Sequence, residues 1–214
     1  YRRVTISGSA PYTMTLQGPT VREKPAIMAW RDHGGGLNTV DPGVFVAPMD
    51  IPSDGRMILA WKVSQTGPST WRYEYAVENV GSHRAARRLH VGVPGGSGVN
   101  NAGFHDVDYH SGEPYTNADW TIDADGPNGH VAWFGETEAA NANANALRWG
   151  TTYNFWFDSD QAPGPGLVAL TLFRAPAAGE PTTFSVNLPV PGGTGLFRDD
   201  FERGTDSAWD SKNP

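Results

Sequence analysis

A strict alternation between Trp71 and Glu78 is the feature that most limits how this chain can fold. Every second residue is large and apolar, and the positions between carry charge with Ala76 as the exception: Trp71, Tyr73, Tyr75 and Val77 against Arg72, Glu74 and Glu78. Because successive side chains of a β-strand point to opposite faces, this period of two predicts a half-buried strand. The strand requires an apolar layer on one side and solvent on the other.

Similar short runs recur along the chain and are separated by turn residues. Met57, Leu59, Trp61 and Val63 share one face of a second predicted strand, and other runs cover 2–6, 12–16, 89–93, 131–134, 153–157, 167–173 and 182–186. This spacing predicts roughly nine to twelve strands. We therefore expect an all-β fold, a two-sheet antiparallel sandwich of the jelly-roll or immunoglobulin-like kind, with a closed barrel as the alternative.

Composition agrees with a fold of many strands and turns. The chain holds 26 Gly and 17 Pro, which suit turns, and 8 Trp, 7 Tyr and 9 Phe, which can fill a core. No segment shows a sustained helical period. Thr137–Leu147, rich in Ala and Asn, is the best helix candidate, but the interleaved Asn residues favour a polar loop.

Charge and cysteine content narrow the classes of partner. The net charge is −7 and Cys is absent. Nucleic-acid binding depends on neutralising phosphates, so an acidic chain with few Lys argues against it, and against an anionic membrane surface. No apolar run approaches the length of a membrane-spanning helix. We expect neither a nucleic-acid partner nor a membrane span.

Composition changes near residue 188, and this predicts a domain boundary. We expect a β-sandwich domain over 1–187, a Pro- and Gly-rich linker over 188–195, and a short C-terminal tail over 196–214. The tail is too short to fold alone, so it must dock on the sandwich, dock on another chain or stay mobile. Phe197, Phe201 and Trp209 are its candidate contact residues.

The tail resembles a C-terminal signature of exported bacterial proteins, Phe-x-Asp-Gly-Phe-Glu-x-Gly followed by Ala-Trp. The matching residues are Phe197, Asp199, Phe201, Glu202, Gly204, Ala208 and Trp209, whereas Asp200 replaces the usual Gly. The segments 71–81, 104–114 and 145–155 are also similar to uncharacterised exported bacterial proteins. The resemblance implies a secreted or surface-anchored β-sandwich, and it supplies no catalytic residues.

The densest group of chemically active side chains is His105, Asp106, Asp108 and His110. On a strand, Asp106, Asp108 and His110 would share one face, and such a row could ligate a divalent metal through oxygen and nitrogen. The alternative, which the surrounding glycines favour, is a polar loop whose side chains bond to its own backbone.

A second acidic group, Asp123 and Asp125, precedes Gly126-Pro127-Asn128-Gly129. Alternating Asp before a Gly-Asn turn resembles a calcium loop, so a divalent cation such as calcium is a candidate cofactor. The full calcium-loop pattern needs a distal Glu that is off register here, and a plain β-turn is the favoured alternative.

Tryptophans outside the obvious core positions are candidates for ligand binding. Trp120, Trp149 and Trp156 are the three considered, and Trp156 falls on the strand face opposite Tyr153 and Phe155. An exposed indole can pack on the C–H face of a sugar ring. The alternative is that both faces of these strands are covered, since large aromatics usually end up mostly buried.

These observations favour a non-catalytic, secreted or cell-surface structural or interaction protein, with self-association or binding to other extracellular components as its expected mode. A carbohydrate-binding module that takes polysaccharide is the first alternative. A metal-dependent hydrolase centred on the His105–His110 segment is the second, although it would also need a general base and an open coordination position.

Overall fold

The structure is a computed structural model that describes residues 1–9, 11–108, 112–175 and 179–192. Over these residues there is one helix, α1 (Met28–His33). The strands are β1 (Arg3–Ser7), β2 (Thr13–Gln17), β3 (Phe45–Ile51), β4 (Gly55–Gly67), β5 (Thr70–Asn79), β6 (Ala86–Gly92), β7 (Val99–His105), β8 (Thr121–Asp125), β9 (His130–Phe134), β10 (Thr152–Ser159), β11 (Pro163–Leu172) and β12 (Thr183–Pro191).

Two antiparallel five-stranded sheets pack face to face and confirm the predicted sandwich. The front sheet has the order β3-β4-β5-β10-β7, and the back sheet has the order β12-β11-β6-β9-β8. The sheets do not close into a barrel, so the alternative architecture is wrong. β1 and β2 form a separate two-stranded hairpin.

β5, the strand predicted from the alternation at 71–78, lies at the centre of the front sheet. Tyr73, Tyr75 and Val77 are buried between the sheets, in one core cluster with Trp133 and Leu89 of the back sheet. Met57 and Leu59 of β4 face the same interior, as predicted. The hydroxyls of the two buried tyrosines lie at the edge of this core. Tyr73 donates to the carbonyl of Gln161, and Tyr75 donates to the carbonyl of Pro189.

The outer face of the front sheet is covered in part by α1, which the sequence did not indicate. Ile27, just before the helix, packs on Ile58 and Ala76, which belong to outward-facing positions of β4 and β5. Glu78 accepts backbone N–H bonds from Ala26 at 3.3 Å and Ile27 at 2.7 Å, and is buried there. The predicted solvent exposure of Glu78 is therefore wrong. Ala76, the one uncharged residue on this face of β5 between Arg72 and Glu78, is uncharged because it is buried under the same segment.

The sandwich extends further along the chain than the predicted limit at residue 187. β12 extends to Pro191, and Leu188 and Val190 are buried in the core. The first half of the predicted 188–195 linker is therefore an edge strand, which tolerates proline where no ladder hydrogen bond is needed. The tail residues Phe197, Phe201 and Trp209 lie outside the described residues.

Two further expectations concern helices. Residues 137–147 form turns and bends and not a helix, as the interleaved Asn residues favoured. Over the described ranges, α1 is the single helix, and its six residues are far too few to cross a lipid bilayer.

Candidate functional site

An indole lies on the outer face of the front sheet beside a glycine that makes room for it. Trp156 of β10 pairs across the sheet with Gly103 of β7, and any Cβ at Gly103 would overlap the indole ring. Trp156 is half-buried, as a ring resting on a sheet must be. Its place on the face opposite Phe155 and Phe157 is as predicted.

A second tryptophan lines the same part of the outer face. Trp30 of α1 is half-buried against the cluster under the helix, and together with Trp156 it lines a cavity of about 230 Å³. Glu74 and Asn154 supply polar side chains to the same cavity. We call this cavity, lined by Trp30, Glu74, Asn154 and Trp156, the tryptophan groove.

Charged neighbours hold one flank of the groove in place. Arg72 donates to Asp158 at 3.0 Å, and the same carboxylate accepts from the Asn101 amide at 2.9 Å. The guanidinium carbon of Arg72 lies 5.8 Å from the centre of the Trp156 ring. A cation at this distance attracts the face of the ring and so restricts the orientations of the Trp156 side chain. Trp156 therefore loses less conformational entropy when a ligand binds.

Support from the core reaches the groove through one buried residue. Trp133 of β9 crosses the sandwich, and its Nε1 donates to the carbonyl of Gly103 at 2.9 Å. Trp133 has no solvent exposure. The backbone beneath the Trp156 ring is therefore tied to the opposite sheet.

The other two candidate tryptophans lie elsewhere. Trp120 is buried, with its Nε1 donating to the carbonyl of Asn145 at 2.7 Å, so its predicted role in surface binding is wrong. Trp149 is 75% exposed, and its Nε1 donates to the carbonyl of Val80 at 2.6 Å. Trp149 is an exposed aromatic as expected, but it does not line the tryptophan groove.

Trp149 borders a different cavity of about 430 Å³ that also contains Arg148. The Arg148 guanidinium lies between the rings of Tyr115 and Phe173, and its Nη2 donates to the carbonyls of Ala142 and Ala144. Burial lowers the pKa of Arg148 below its ordinary value. These contacts show how one arginine fixes the Ala- and Asn-rich loop.

The described part of the predicted metal row does not form a metal site. β7 ends at His105, so Asp106 and Asp108 do not continue a strand. His105 is exposed beside Asn154, whereas Asp106 is buried and accepts from the Asn145 amide. Asp108 is exposed, and His110 lies outside the described residues. Among the described residues, no three His, Asp or Glu side chains gather to hold a metal ion.

Asp123 and Asp125 form part of the β8–β9 hairpin. Asp125 accepts both the backbone N–H of Asn128 at 3.1 Å and its side-chain amide at 2.6 Å, and these bonds lower the Asp125 pKa. Asp123 contacts His130 at 3.0 Å. The geometry is that of the turn, the alternative favoured over a calcium loop.

Asp106 belongs to a buried polar network that sequence reasoning missed. The Asn145 amide donates to Asp106 and, at 3.0 Å, to the carbonyl of Ala118. The amide oxygen of Asn145 accepts from the Tyr153 hydroxyl. Burial raises the pKa of Asp106 above its ordinary value of 3.8, and it raises that of Tyr153 as well. The Asp106 carboxylate therefore helps to hold Asn145 and Tyr153 in place within the fold.

Asp106→Asn is expected to make the protein more stable than the parent at neutral pH. Because burial raises the Asp106 pKa, the folded state binds its proton more tightly than the unfolded state does. The free energy of unfolding therefore falls as the pH rises from 3.8 through the folded pKa. Asn cannot ionise, and its carbonyl oxygen can still accept from Asn145.

Melting temperatures of parent and variant between acid and neutral pH check this. The two curves should converge in acid and separate towards neutrality. A variant less stable than the parent at neutral pH would contradict it. So would a calcium-dependent rise in melting temperature that the variant loses, because that result would make Asp106 a metal ligand.

Comparison with known proteins adds no further information on this site. No model of a protein family matches the chain. No curated protein matches it either.

Proposed function

We propose that this chain is a non-catalytic extracellular interaction protein that binds polysaccharide in the tryptophan groove. The observation that carries the proposal is the Trp156 ring over Gly103, with Trp30 lining the same cavity. Sugar rings bind to flat aromatic faces through their C–H groups and to nearby polar groups through their hydroxyls. The groove offers both, with Glu74 and Asn154 as the polar groups.

The dimensions of the groove fit a shallow site for one unit of a chain. Its volume of about 230 Å³ lies below the usual range of enclosed small-molecule pockets, roughly 300–1,000 Å³. A polysaccharide binds well to such a surface because neighbouring units of the chain can extend along the sheet. Exposed Asn154 and His105 continue the polar surface from Trp156 towards the end of β7.

The extracellular location in this proposal is supported by the resemblance of the chain to exported bacterial proteins. A cysteine-free sandwich with a buried core as large as this one also needs no disulfide for stability. An antibody against the domain should label intact source cells or the medium around them. Labelling only after permeabilisation would contradict the location.

Trp156→Ala is expected to weaken binding at least tenfold, about 1.4 kcal/mol, for any polysaccharide that the parent binds. The reason is the loss of a flat ring, one of the two indoles that line the groove. Affinity electrophoresis over a panel of neutral and acidic polysaccharides finds the ligand, and calorimetry measures the change. Gly103→Ala should give a similar loss, because its Cβ displaces the ring without removing it.

Trp149→Ala is the matched comparison, since Trp149 is an exposed tryptophan outside the groove. It should bind as the parent does, and all variants should keep the parent's circular dichroism. The proposal fails if the parent binds no polysaccharide, or if Trp149→Ala abolishes binding and Trp156→Ala does not. Release of reducing ends during incubation would contradict the non-catalytic part.

A further inference from the structure

The cavity beside Trp149 contains two arginines. Arg148 and Arg174 both line it, and its volume of about 430 Å³ lies within the usual range for small-molecule sites, roughly 300–1,000 Å³. We call it the arginine cavity, after these two residues. Glu113 is the single acidic side chain among its described lining residues, and it is exposed. The described lining therefore carries an excess of positive charge.

Arg148 differs from Arg84, another deeply buried arginine. Each of the two residues is 7% exposed. Arg84 pairs with the carboxylate of Glu180 at 3.4 Å. Over the described ranges, no carboxylate lies within ion-pair distance of Arg148, and Glu138, an acid near it, contacts Arg174 instead. Since buried charges are almost always paired, the charge of Arg148 lacks the partner that such a residue normally has.

A role in fixing the Ala- and Asn-rich loop accounts for only part of the Arg148 guanidinium. Its Nη2 donates to the carbonyls of Ala142 at 3.2 Å and Ala144 at 3.0 Å. Its Nε and Nη1 are buried and have no hydrogen-bond partner in the described part of the chain. The rings of Tyr115 and Phe173 have their centres 3.9 and 4.6 Å from the guanidinium carbon, and they attract the cation without carrying a full negative charge. The loop contacts therefore leave the charge itself unbalanced.

Arg174 brings a second positive charge to the same cavity and is held in place there. Its backbone N–H donates to the carbonyl of Arg84 at 2.9 Å, and its Nη1 donates to the carbonyl of His83. Its Nε lies 3.5 Å from the Glu138 carboxylate, and its side chain is 27% exposed, so a ligand can touch it. Burial lowers the pKa of Arg148, and the charge of Arg174 lowers it further. The two cations repel each other, and an anion in the cavity would offset this repulsion.

We propose that the arginine cavity binds a small organic acid, with its carboxylate on Arg174 and close to Arg148. Arg174 forms the direct contact, because its side chain is partly exposed and a guanidinium matches the two oxygens of a carboxylate. Arg148 acts through its charge, since its unpaired nitrogens are buried. A charge partly removed from water is screened less than a surface charge, so its attraction for the ligand is stronger. This site is separate from the tryptophan groove and does not depend on polysaccharide binding.

The size and the walls of the cavity favour an organic acid over an inorganic ion. Ala85 and Val107 add apolar side chains to the lining, and these can contact a carbon skeleton. An ion such as phosphate would leave most of the 430 Å³ unfilled. Glu113 would repel a second acidic group on the ligand, so a monocarboxylate fits the lining better than a dicarboxylate.

Calorimetry of the whole chain at low ionic strength tests the proposal with benzoate and with benzamide, its uncharged analogue of nearly the same shape. The parent should bind benzoate at least about tenfold more tightly than benzamide, because hydrogen bonds to charged groups are stronger than neutral ones. Arg174→Gln and Arg148→Met should each weaken benzoate binding about tenfold, since each removes one positive charge. Glu113→Gln should strengthen binding about twofold, because it removes the exposed acid from the lining.

Arg56→Gln is the matched control, because Arg56 is an exposed arginine that pairs with Asp50 outside the cavity. It should bind benzoate as the parent does. Trp156→Ala should also bind benzoate normally, so a failure of the polysaccharide proposal would leave this test unaffected. Circular dichroism checks that each variant is folded. If Arg148→Met is not folded, Arg174→Gln and Glu113→Gln decide the question, because neither residue is fully buried.

Four results would overturn the proposal. They are a parent that binds no benzoate at millimolar concentrations, equal binding of benzoate and benzamide, unchanged binding in Arg174→Gln, and a loss in Arg56→Gln equal to that in Arg174→Gln. Tighter binding of inorganic phosphate than of benzoate would also overturn it, because the cavity would then be a site for inorganic anions. Loss of benzoate binding in Trp156→Ala would place the ligand in the tryptophan groove instead.

Discussion

Replacing Asn145 by Ala is expected to lower the free energy of unfolding by about 3–5 kcal/mol. The amide of Asn145 donates to Asp106 and to the carbonyl of Ala118, and its oxygen accepts from the Tyr153 hydroxyl. Truncation leaves a buried carboxylate, a carbonyl and a hydroxyl with fewer partners at once. Each unsatisfied polar group away from water costs free energy, and the charged one costs the most.

Urea unfolding followed by tryptophan fluorescence measures this change. Asn143→Ala is the matched control, because Asn143 lies in the same loop and is exposed; it should fall within about 0.5 kcal/mol of the parent. The double variant with Asp106→Asn should recover part of the loss, since it removes the unpaired charge. A loss for Asn145→Ala no larger than that of the control would show that the network is not needed for stability.

Trp133→Ala is the second change with a large expected effect, also about 3–5 kcal/mol. The indole is fully buried and lies against Phe155 and Phe157, with ring centres 5.4 and 6.2 Å away. Truncation would leave a large cavity between the sheets and remove the bond to the Gly103 carbonyl. Since the lost contacts lie at the centre of the core, little of the cavity can close by relaxation.

Thermal unfolding should show a fall in melting temperature on the order of 10 °C. Trp133→Phe separates the two contributions, because it keeps much of the ring volume and loses the N–H donor. Its cost should be clearly smaller than that of Trp133→Ala. Trp149→Ala, at an exposed position, should change the melting temperature little. A result in which the exposed and buried variants cost the same would contradict the assigned packing.

The two large effects and the groove are connected through β7. Trp133 supports the carbonyl of Gly103, and Trp156 lies on the other side of the same residue. Phe104, next in the strand, stacks on Trp120 at 5.5 Å, and the Trp120 indole is bonded to the carbonyl of Asn145. The groove is therefore supported from below by buried aromatic residues of both sheets, which suits a binding site that must be preorganised.

Local pattern predicted nine of the twelve described strands but missed β3, β7 and β8, and it was misleading for the polar segments. The period of two at 71–78 predicted β5, its inward face and its place in a sandwich. The same reasoning applied to Asp106 and Asp108 required a strand that ends at His105. Whether a carboxylate faces solvent or Asn145 depends on a residue far away in the chain, and no local pattern contains that information.

The helix α1 and the predicted linker at 188–195 also show that local sequence patterns do not contain information about distant contacts. α1 has six residues, fewer than two turns, so it leaves no periodic signal in the sequence. It depends on Glu78, some fifty positions later, which bonds the backbone at its start. Pro and Gly at 188–191 indicated a linker, yet Leu188 and Val190 continue β12 because the edge of a sheet accepts them.

The sequence by itself determined the class of fold and the two faces of the strands whose side chains alternate, since the side-chain period of a strand is a local property. It also placed Trp156 on the outer face of its strand. Only the tertiary structure decided that Trp120 is core and that Trp30 and Gly103 complete a groove with Trp156. These outcomes depend on contacts between residues distant in the chain, and such contacts exist only once the sheets have packed.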